Sequence, residues 1–328
     1  MFAHRPGRTW AVKGFAHLEM TRPYTVFYSG LVAIAGCELA SEGSAPAWRV
    51  ALAALVTMCG WEAGLYAGDY YDREIDARGK PLRPVPSGRV SPREAFATMI
   101  GLIVVGYLCA LALGPANLAL AVLTTALGIA YSKTFKSRAI LGNFDRSVLG
   151  ACAVLFGALA GGDALKPAAL LLATLIFFHD AATNLVGAIR DVEGDRSADC
   201  PTMPVVYGVA RSVDIAVALA CCWIAIGCAL ASLLWPNGLA LALFVGAVAL
   251  AVCVYVSLWA RRAVIARPRA LAAHKYLVVE RLVLMGAFIA VYTPAATALA
   301  VLATALLATV GSQRLLRDRH ERQALATN

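Results

Sequence analysis

The sequence predicts an all-α fold, a polytopic bundle of transmembrane helices, on three observations. Of its 328 residues, 60% are hydrophobic and 15% are charged, against about 25% charged in a typical soluble domain. The apolar residues fall in runs of roughly 15–25, the length of helix that crosses a bilayer core. The positive charge is sorted. With the N-terminus placed inside, the inside segments hold all of the 29 Lys and Arg except Arg49 and Lys166, as expected of loops on the cytoplasmic side.

These criteria predict ten helices. The basic stretch from Arg5 to Arg22 precedes the first, over residues 23–40, and the outer connection with Arg49 leads into the second, over 48–68. Six cations from Arg73 to Arg93 separate it from the third (93–113), which turns without Lys or Arg into the fourth (116–131). Lys133, Lys136, Arg138 and Arg146 precede the fifth (146–162), and Lys166 marks the outer turn into the sixth (167–189). Arg190, Arg196 and Arg211 lead to the seventh (209–234), which turns without a cation into the eighth (237–260). Six cations between Arg261 and Arg281 accompany the ninth (276–293), and Arg314 to Arg322 follow the tenth (295–311). The last two runs together are about 35 residues, well beyond the ~20 of one span. Tyr292-Thr293-Pro294-Ala295 is therefore read as a tight turn between two helices.

One membrane-embedded domain over 1–328 is expected, with basic cytoplasmic ends at 1–22 and 312–328. Residues 1–22 lack the apolar core of a cleaved signal peptide, so the first helix is expected to be retained and to direct insertion. None of the nine cysteines forms a C-x-x-C pair or neighbours a His at zinc-ligand spacing, so they read as packing residues. The net charge of +9 follows from the inside loops. It suits anionic membrane lipid and calls for no nucleic acid.

Two loops carry chemistry. After the second helix, Asp69, Asp72 and Asp76 stand at i, i+3 and i+7, one face if the helix continues. After the sixth, Asp191, Asp195 and Asp199 stand at i, i+4 and i+8, again one face. Stacked carboxylates repel, and carboxylates at helix C-termini oppose the helix dipole. Magnesium would offset both effects: it takes one or two carboxylates and leaves positions for water and phosphate oxygens. Lys80, Arg83, Lys133, Lys136 and Arg190 crowd the same side and are candidates for binding diphosphate oxygens, Lys as a point charge and Arg as a fork. Tyr131 and Ser132 end the fourth helix there. At membrane depth, Glu62, His179, Asp180 and Asn184 are functional candidates by default. Asn184 shares a helix face with Asp191, and His179 lies deeper, where it would line an acceptor pocket.

The two loops also look like copies. Asp72-x-Glu74-x-Asp76 is followed by Pro81, Pro84 and Gly88, and Asp191-x-Glu193-x-Asp195 by Pro201, Pro204 and Gly208, one residue later. Each follows the second helix of a four-helix set. A duplication of this kind would bring the two acidic clusters face to face.

Asp69-x-x-Asp72-x-x-x-Asp76 with the run Lys80 to Ser91 resembles the first signature of the UbiA superfamily of intramembrane prenyltransferases. Asp191-x-x-x-Asp195 with Pro201, Pro204 and Gly208 resembles the second. Tyr131-Ser132 with Phe135-Lys136 resembles its loop after helix four, and Arg22-Pro23 the start of its first helix. The resemblance covers about residues 19–293. It implies nine core helices in two four-helix halves plus one, to which the tenth is an addition. It also implies Mg²⁺-dependent loss of diphosphate from an allylic isoprenyl diphosphate, and capture of the carbocation by an acceptor. On that reading Asp69, Asp72, Asp76, Asp191 and Asp195 are catalytic, and these five with Asp199 hold metal. Arg22, Lys80, Arg83, Lys133, Lys136 and Arg190 bind diphosphate, and Tyr131, Ser132, His179 and Asn184 face the acceptor or its pocket. The expected location is a bacterial cell membrane, with the site on the cytoplasmic side. The family's first motif opens with Asn where this chain has Gly68. A cyclase on the same fold, and a transporter or scaffold, are the competing readings. A transporter would place its coupling-ion sites near the bilayer midplane, whereas these acids gather at one end.

Overall fold

The computed structural model describes residues 10–135, 138–162, 166–234 and 237–317. Thirteen α-helices, and no strand, are found among the described residues. They are α1 (Trp10–Thr21), α2 (Pro23–Ser41), α3 (Ala47–Tyr71), α4 (Arg73–Gly79), α5 (Pro92–Leu113), α6 (Pro115–Ala130), α7 (Ile140–Gly161), α8 (Pro167–Ser197), α9 (Met203–Tyr207), α10 (Val209–Leu234), α11 (Gly238–Trp259), α12 (Arg267–Ile289) and α13 (Ala295–Ser312). All ten predicted helices form.

Proline opens many of them. It stands in the first turn of α2, α5, α6, α8 and α12, where its missing N–H would be unpaired anyway. The start of α5 also has a full capping box, with Ser91 and Glu94 each bonding the other's backbone N–H.

Three boundaries differ from expectation, each through charged residues. Helix α7 starts at Ile140, so Arg146 lies inside it rather than in the loop before it. Helix α8 runs on to Ser197 and carries Asp191 and Asp195 as a straight helical extension. Helix α12 begins at Arg267 and holds Lys275, Glu280 and Arg281 within its length. Long polar stretches of helix give no apolar signal, so an apolar scan truncates them.

Nine helices among the described residues are long and apolar enough to cross a membrane: α2, α3, α5, α6, α7, α8, α10, α11 and α13. The protein is an integral, multi-pass membrane protein. Helix α12 fails on composition because it carries Arg267, Arg269, Lys275, Glu280 and Arg281, of which Glu280 and Arg281 are buried with Leu277, Leu284, Met285 and Phe288.

The packing order repeats. In the first half α2 packs on α3, α3 on α5 and α5 on α6, and in the second α7 packs on α8, α8 on α10 and α10 on α11. The halves meet through their leading helices, α2 against α7. Glycine permits that approach. A Cβ at Gly36 would strike the backbone of Val154, one at Gly157 the backbone of Ala33, and one at Gly161 the backbone of Cys37. Small residues at such crossings let helix backbones close up, as membrane bundles require. Helix α12 closes the ring between α11 and α2.

Pro294 is the N-cap of α13, and residues 290–293 form a turn. Gly286 in α12 lies against Leu302 in α13, so the two helices run side by side as a hairpin rather than as one kinked rod. Helix α13 packs on α2 and borders an apolar cleft of about 310 Å³ lined by Phe27, Ile34, Met58 and Val301, among others.

Candidate active site

Both acidic motifs lie at one end of the bundle, and their local geometry repeats. At the first, α3 stops at Tyr71 and α4 starts at Arg73, with Asp72 as the joint. The backbone nonetheless keeps a helical course. Asp72 N bonds Gly68 O at 2.9 Å and Asp76 N bonds Asp72 O at 2.8 Å. Asp69 and Asp76 therefore point the same way, and both are buried.

Arginines meet them there. Arg22 Nη2 donates to Asp69 Oδ1 at 2.6 Å. Arg83 Nη1 donates to Asp76 Oδ2 at 2.5 Å and lies 3.6 Å from Asp69 Oδ1, bridging the first and third acids. Arg22 sits in the left-handed region at φ 43°, immediately before the proline that opens α2. A non-glycine residue there stores backbone strain and is held by its surroundings. Asp69 favours the charged form of Arg22 and raises its pKa against the cost of burial.

At the second motif, Arg190 clasps the neighbouring Asp191 through two hydrogen bonds, with Nε to Oδ1 at 2.8 Å. Thr202 Oγ1 donates to Asp195 Oδ2 at 3.0 Å. Asp76 and Asp195 are thus each bonded by the side chain seven residues on, Arg83 and Thr202 respectively. Gly88 and Gly208, which close the two loops, both take positive φ, 67° and 85°. This shared geometry supports the duplication read from the sequence.

The loops are drawn together. Lys80 of the first loop and Arg267 at the start of α12 both act electrostatically on Asp191 of the second. Ala139 N bonds Pro201 O at 2.9 Å, which pins the segment after α6 to the second loop. That segment begins with a π turn, Tyr131–Phe135, where Lys133 stacks over the ring of Tyr71 at 5.0 Å. Helix α1 braces the first loop from outside. Lys13 bonds Glu94 at 2.6 Å, Glu19 pairs with Arg89, and His17 Nδ1 meets the Tyr66 hydroxyl at 2.8 Å.

Not every sequence expectation survives. Asp199 does not continue the face of Asp191 and Asp195. Helix α8 ends at Ser197, and Asp199 is exposed in a left-handed turn at φ 49°. Among the described residues no three His, Cys, Asp or Glu side chains close on one point in the manner of a metal cage. The acids are instead spread over two helix ends and held by arginine and threonine. An all-oxygen donor set on two facing elements still fits a hard divalent ion. Such an ion takes only one or two protein carboxylates and completes its shell with water and phosphate oxygens. Lys136 lies outside the described residues.

The deeper polar residues also fall differently. His179 lines no open pocket and is 1% exposed. Its Nε2 meets Glu280 Oε2 at 2.9 Å, its Nδ1 lies 3.5 Å from Asp180 Oδ1, and its ring packs edge-on against Trp223. Tyr28 donates to the same Asp180 oxygen at 2.8 Å. Gly150 leaves the space that Asp180 fills. This buried network ties α2, α8 and α12, a structural use of His179. Asn184 is half-buried, as are Tyr131 and Ser132. Glu62, two turns before Asp69 on α3, is buried with Oε2 unpartnered among the described residues. Sequence reading missed Arg146, Glu280 and Arg281, because it counted the two arginines as loop charges. The one signal for them was an acid–arginine dipeptide, Asp145-Arg146 at the start of the predicted fifth helix and Glu280-Arg281 inside the ninth.

A bundle of long apolar helices with paired acidic and basic motifs at one end defines an intramembrane enzyme acting on a polyanionic, lipid-soluble substrate. The comparisons are specific. Residues 29–276 match the UbiA prenyltransferase family, and the chain belongs to that family. It is a prenyltransferase. The digeranylgeranylglyceryl phosphate synthase of Ignicoccus hospitalis is 34% identical over 224 residues, 67% of this chain and 73% of that one. A UbiA homolog from Aeropyrum pernix, solved in its apo form, superposes with a TM-score of 0.69 at 20% identity, covering 80% of this chain and 96% of that one. A UbiA homolog from Archaeoglobus fulgidus, solved bound to GPP and Mg²⁺, gives a TM-score of 0.61 at 16% identity over 90% and 99%.

Proposed function

We propose that this enzyme transfers an isoprenyl group from an allylic isoprenyl diphosphate to the hydroxyl of a lipid-soluble glyceryl phosphate. The observation that carries the donor half is the convergence of Arg22, Arg83, Lys80 and Arg190 on the carboxylates of two facing loops. This cationic set matches a diphosphate, with arginine forks able to take two oxygens at once. The acceptor half is supported by the I. hospitalis synthase and by similar synthases from Methanopyrus kandleri and Methanoregula boonei.

In the proposed reaction the allylic C–O bond breaks and its electron pair leaves with the diphosphate. The acceptor oxygen then forms the new C–O bond and gives up its proton. Asp69, Asp72, Asp76, Asp191 and Asp195 would hold divalent metal, and the donor complexes of the A. fulgidus homolog with Mg²⁺ support that choice of ion. A divalent ion supplies charge stabilisation for the leaving diphosphate. The chain's own residues orient the donor. Arg22 and Arg83 lie between the acids of the first motif, where they would meet phosphate oxygens as well as carboxylates. Lys80 and Arg190 would do the same at the second, and Lys133 lies over Tyr71 at the edge of the site. The apolar helices beneath keep water from the carbocation. The site faces the side with most of the Lys and Arg, which is the cytoplasmic side by the positive-inside rule.

The test is turnover by purified protein with Mg²⁺, allylic diphosphates of several lengths, and geranylgeranylglyceryl phosphate. Diphosphate release that requires the acceptor is the expected result. Release with a cyclic hydrocarbon and no acceptor would make the protein a cyclase, and no release from any donor would reject the reading.

A further inference from the structure

Helix α1 precedes the first span and takes no part in the donor chemistry. It ends at Thr21, and the single residue Arg22 joins it to α2. Arg22 takes φ 43°, so the chain turns there and α1 does not continue the line of α2. Lys13, eight residues before Thr21, bonds Glu94 in the first turn of α5 at 2.6 Å. Between these two points Ala16 and Met20 cluster with Ala63, Tyr66 and Ala67 of α3 and with Ala95 and Met99 of α5. These belong to the last turns of α3 and the first turns of α5, where both spans reach the motif side. Helix α1 therefore lies along that level, between the entry points of α2 and α5.

Its outer side is apolar as well. Val12 and Leu18 are 41% and 46% exposed, and Phe15 between them is 38% exposed. In α5 the same exposure marks the lipid face, where Phe96, Ile100, Val104, Leu108 and Leu111 recur at helical spacing. Phe96 stands two residues after Glu94, so that lipid face begins where α1 is attached. A helix with one side packed on protein and an apolar outer side, level with the ends of the spans, suits the boundary between lipid headgroups and acyl chains.

We propose that α1 is an interfacial helix that seats Val12 and Leu18 in phospholipid on the motif side of the membrane, and that this seat holds the first motif loop in place. The inner side of α1 supplies the link. Glu19 pairs with Arg89, and Arg89 bonds Leu82 O across the loop at 2.7 Å. Lys13 pairs with Glu94, whose carboxylate also bonds the Ser91 backbone where the loop enters α5. His17 Nδ1 meets the hydroxyl of Tyr66, three residues before Asp69. Arg22, at the elbow, bonds Asp69 itself. Lipid contact on one side of α1 is thereby passed to the loop of residues 80–91 and to the first acidic motif on the other.

The test uses the full chain in phosphatidylcholine nanodiscs that contain a phosphatidylcholine with a diazirine close to its glycerol. After illumination and digestion, mass spectrometry is expected to find label on the peptides of α1 as well as on the start of α5. Label on α5 with none on α1 overturns the seat, and assigns the cover of that side to residues 1–9 or to a second copy of the chain. Hydrogen exchange reads the link. Val12→Ser combined with Leu18→Ser should lose the label on α1 and speed exchange over residues 80–91 by roughly tenfold, as expected when apolar burial that supports a local structure is removed. Exchange in α10 and α11 should not change. Loss of label with the loop still exchanging at the wild-type rate overturns the link. If the double variant does not insert, Leu18→Ser alone is read in the same way.

Discussion

Asp76 and Asp195 are matched by side-chain hydrogen bonds from Arg83 and Thr202, each seven residues on. The two partners differ in charge: Asp76 meets a cation and Asp195 a neutral hydroxyl, while Arg190 supplies the cation of the second motif at Asp191. Asp72→Ala and Asp195→Ala should each lower turnover by at least about 100-fold, since each removes a group from the charge-stabilising shell. The variants should stay inserted and folded, which circular dichroism and gel filtration would check. Near-wild-type turnover would take that aspartate out of the site. Gly68 stands where the family's motif has Asn, and a Cβ there meets nothing within 4 Å. It is therefore no close-packing glycine. Gly68→Ala should raise stability by about 0.5–1 kcal/mol in thermal unfolding, because glycine in a helix interior costs entropy. Gly68→Asn should fold and bind diphosphate as well as the wild type or better, by about 1–3 kcal/mol for a charge-assisted hydrogen bond. A variant that fails to fold would contradict the open space the structure shows.

Among the elements, α2 and α7 carry the seam between the halves. Gly157 faces the backbone of Ala33, with the carbonyl carbon 2.7 Å from where a Cβ would sit. Backbone cannot swing aside as a side chain can, so Gly157→Val should destabilise by about 1–3 kcal/mol or more, read as a lower midpoint in detergent. Val there at no cost would mean that the helices are further apart than described. Helix α12 is held by polar contacts. Glu280 is fully buried against His179, and removing one partner of such a pair leaves the other uncompensated. Glu280→Leu should cost about 3–5 kcal/mol, while the double variant with His179→Leu should recover much of it. Equal loss in both variants would deny the coupling.

At the scale of the molecule, activity should require a divalent ion. Mg²⁺ or Mn²⁺ should support turnover and Ca²⁺ should support it poorly, because Ca²⁺ takes more ligands at longer distances. Full activity in excess chelator would contradict the proposed ligands. The hairpin of α12 and α13 also decides topology. Ten crossing helices, with α12 counted as a span shielded by its neighbours, would put Arg22 before α2 and Gln313 after α13 both on the motif side. A reporter fused after Asn328 should then read as cytoplasmic, and a periplasmic signal would exclude α12 or α13 as a span.

Sequence alone determined the all-α membrane class, the ten helices, the two facing motifs and their likeness to each other. Those features rest on local periodicity and on the sorting of Lys and Arg, which a membrane imposes residue by residue. The depth of a charge was decided only by the tertiary structure. Arg146 and Arg281 count with the inside cations in the charge sorting, but helices that pack on several neighbours can carry charge inward, here onto the rings of Trp61, Tyr131 and Tyr28. His179 reads as a pocket residue until Glu280, 101 residues away, closes on it. Asp199 reads as a third ligand until α8 ends two residues before it. Spacing shows which residues share a face only while the helix lasts, and what that face meets is set by distant segments that no local pattern contains.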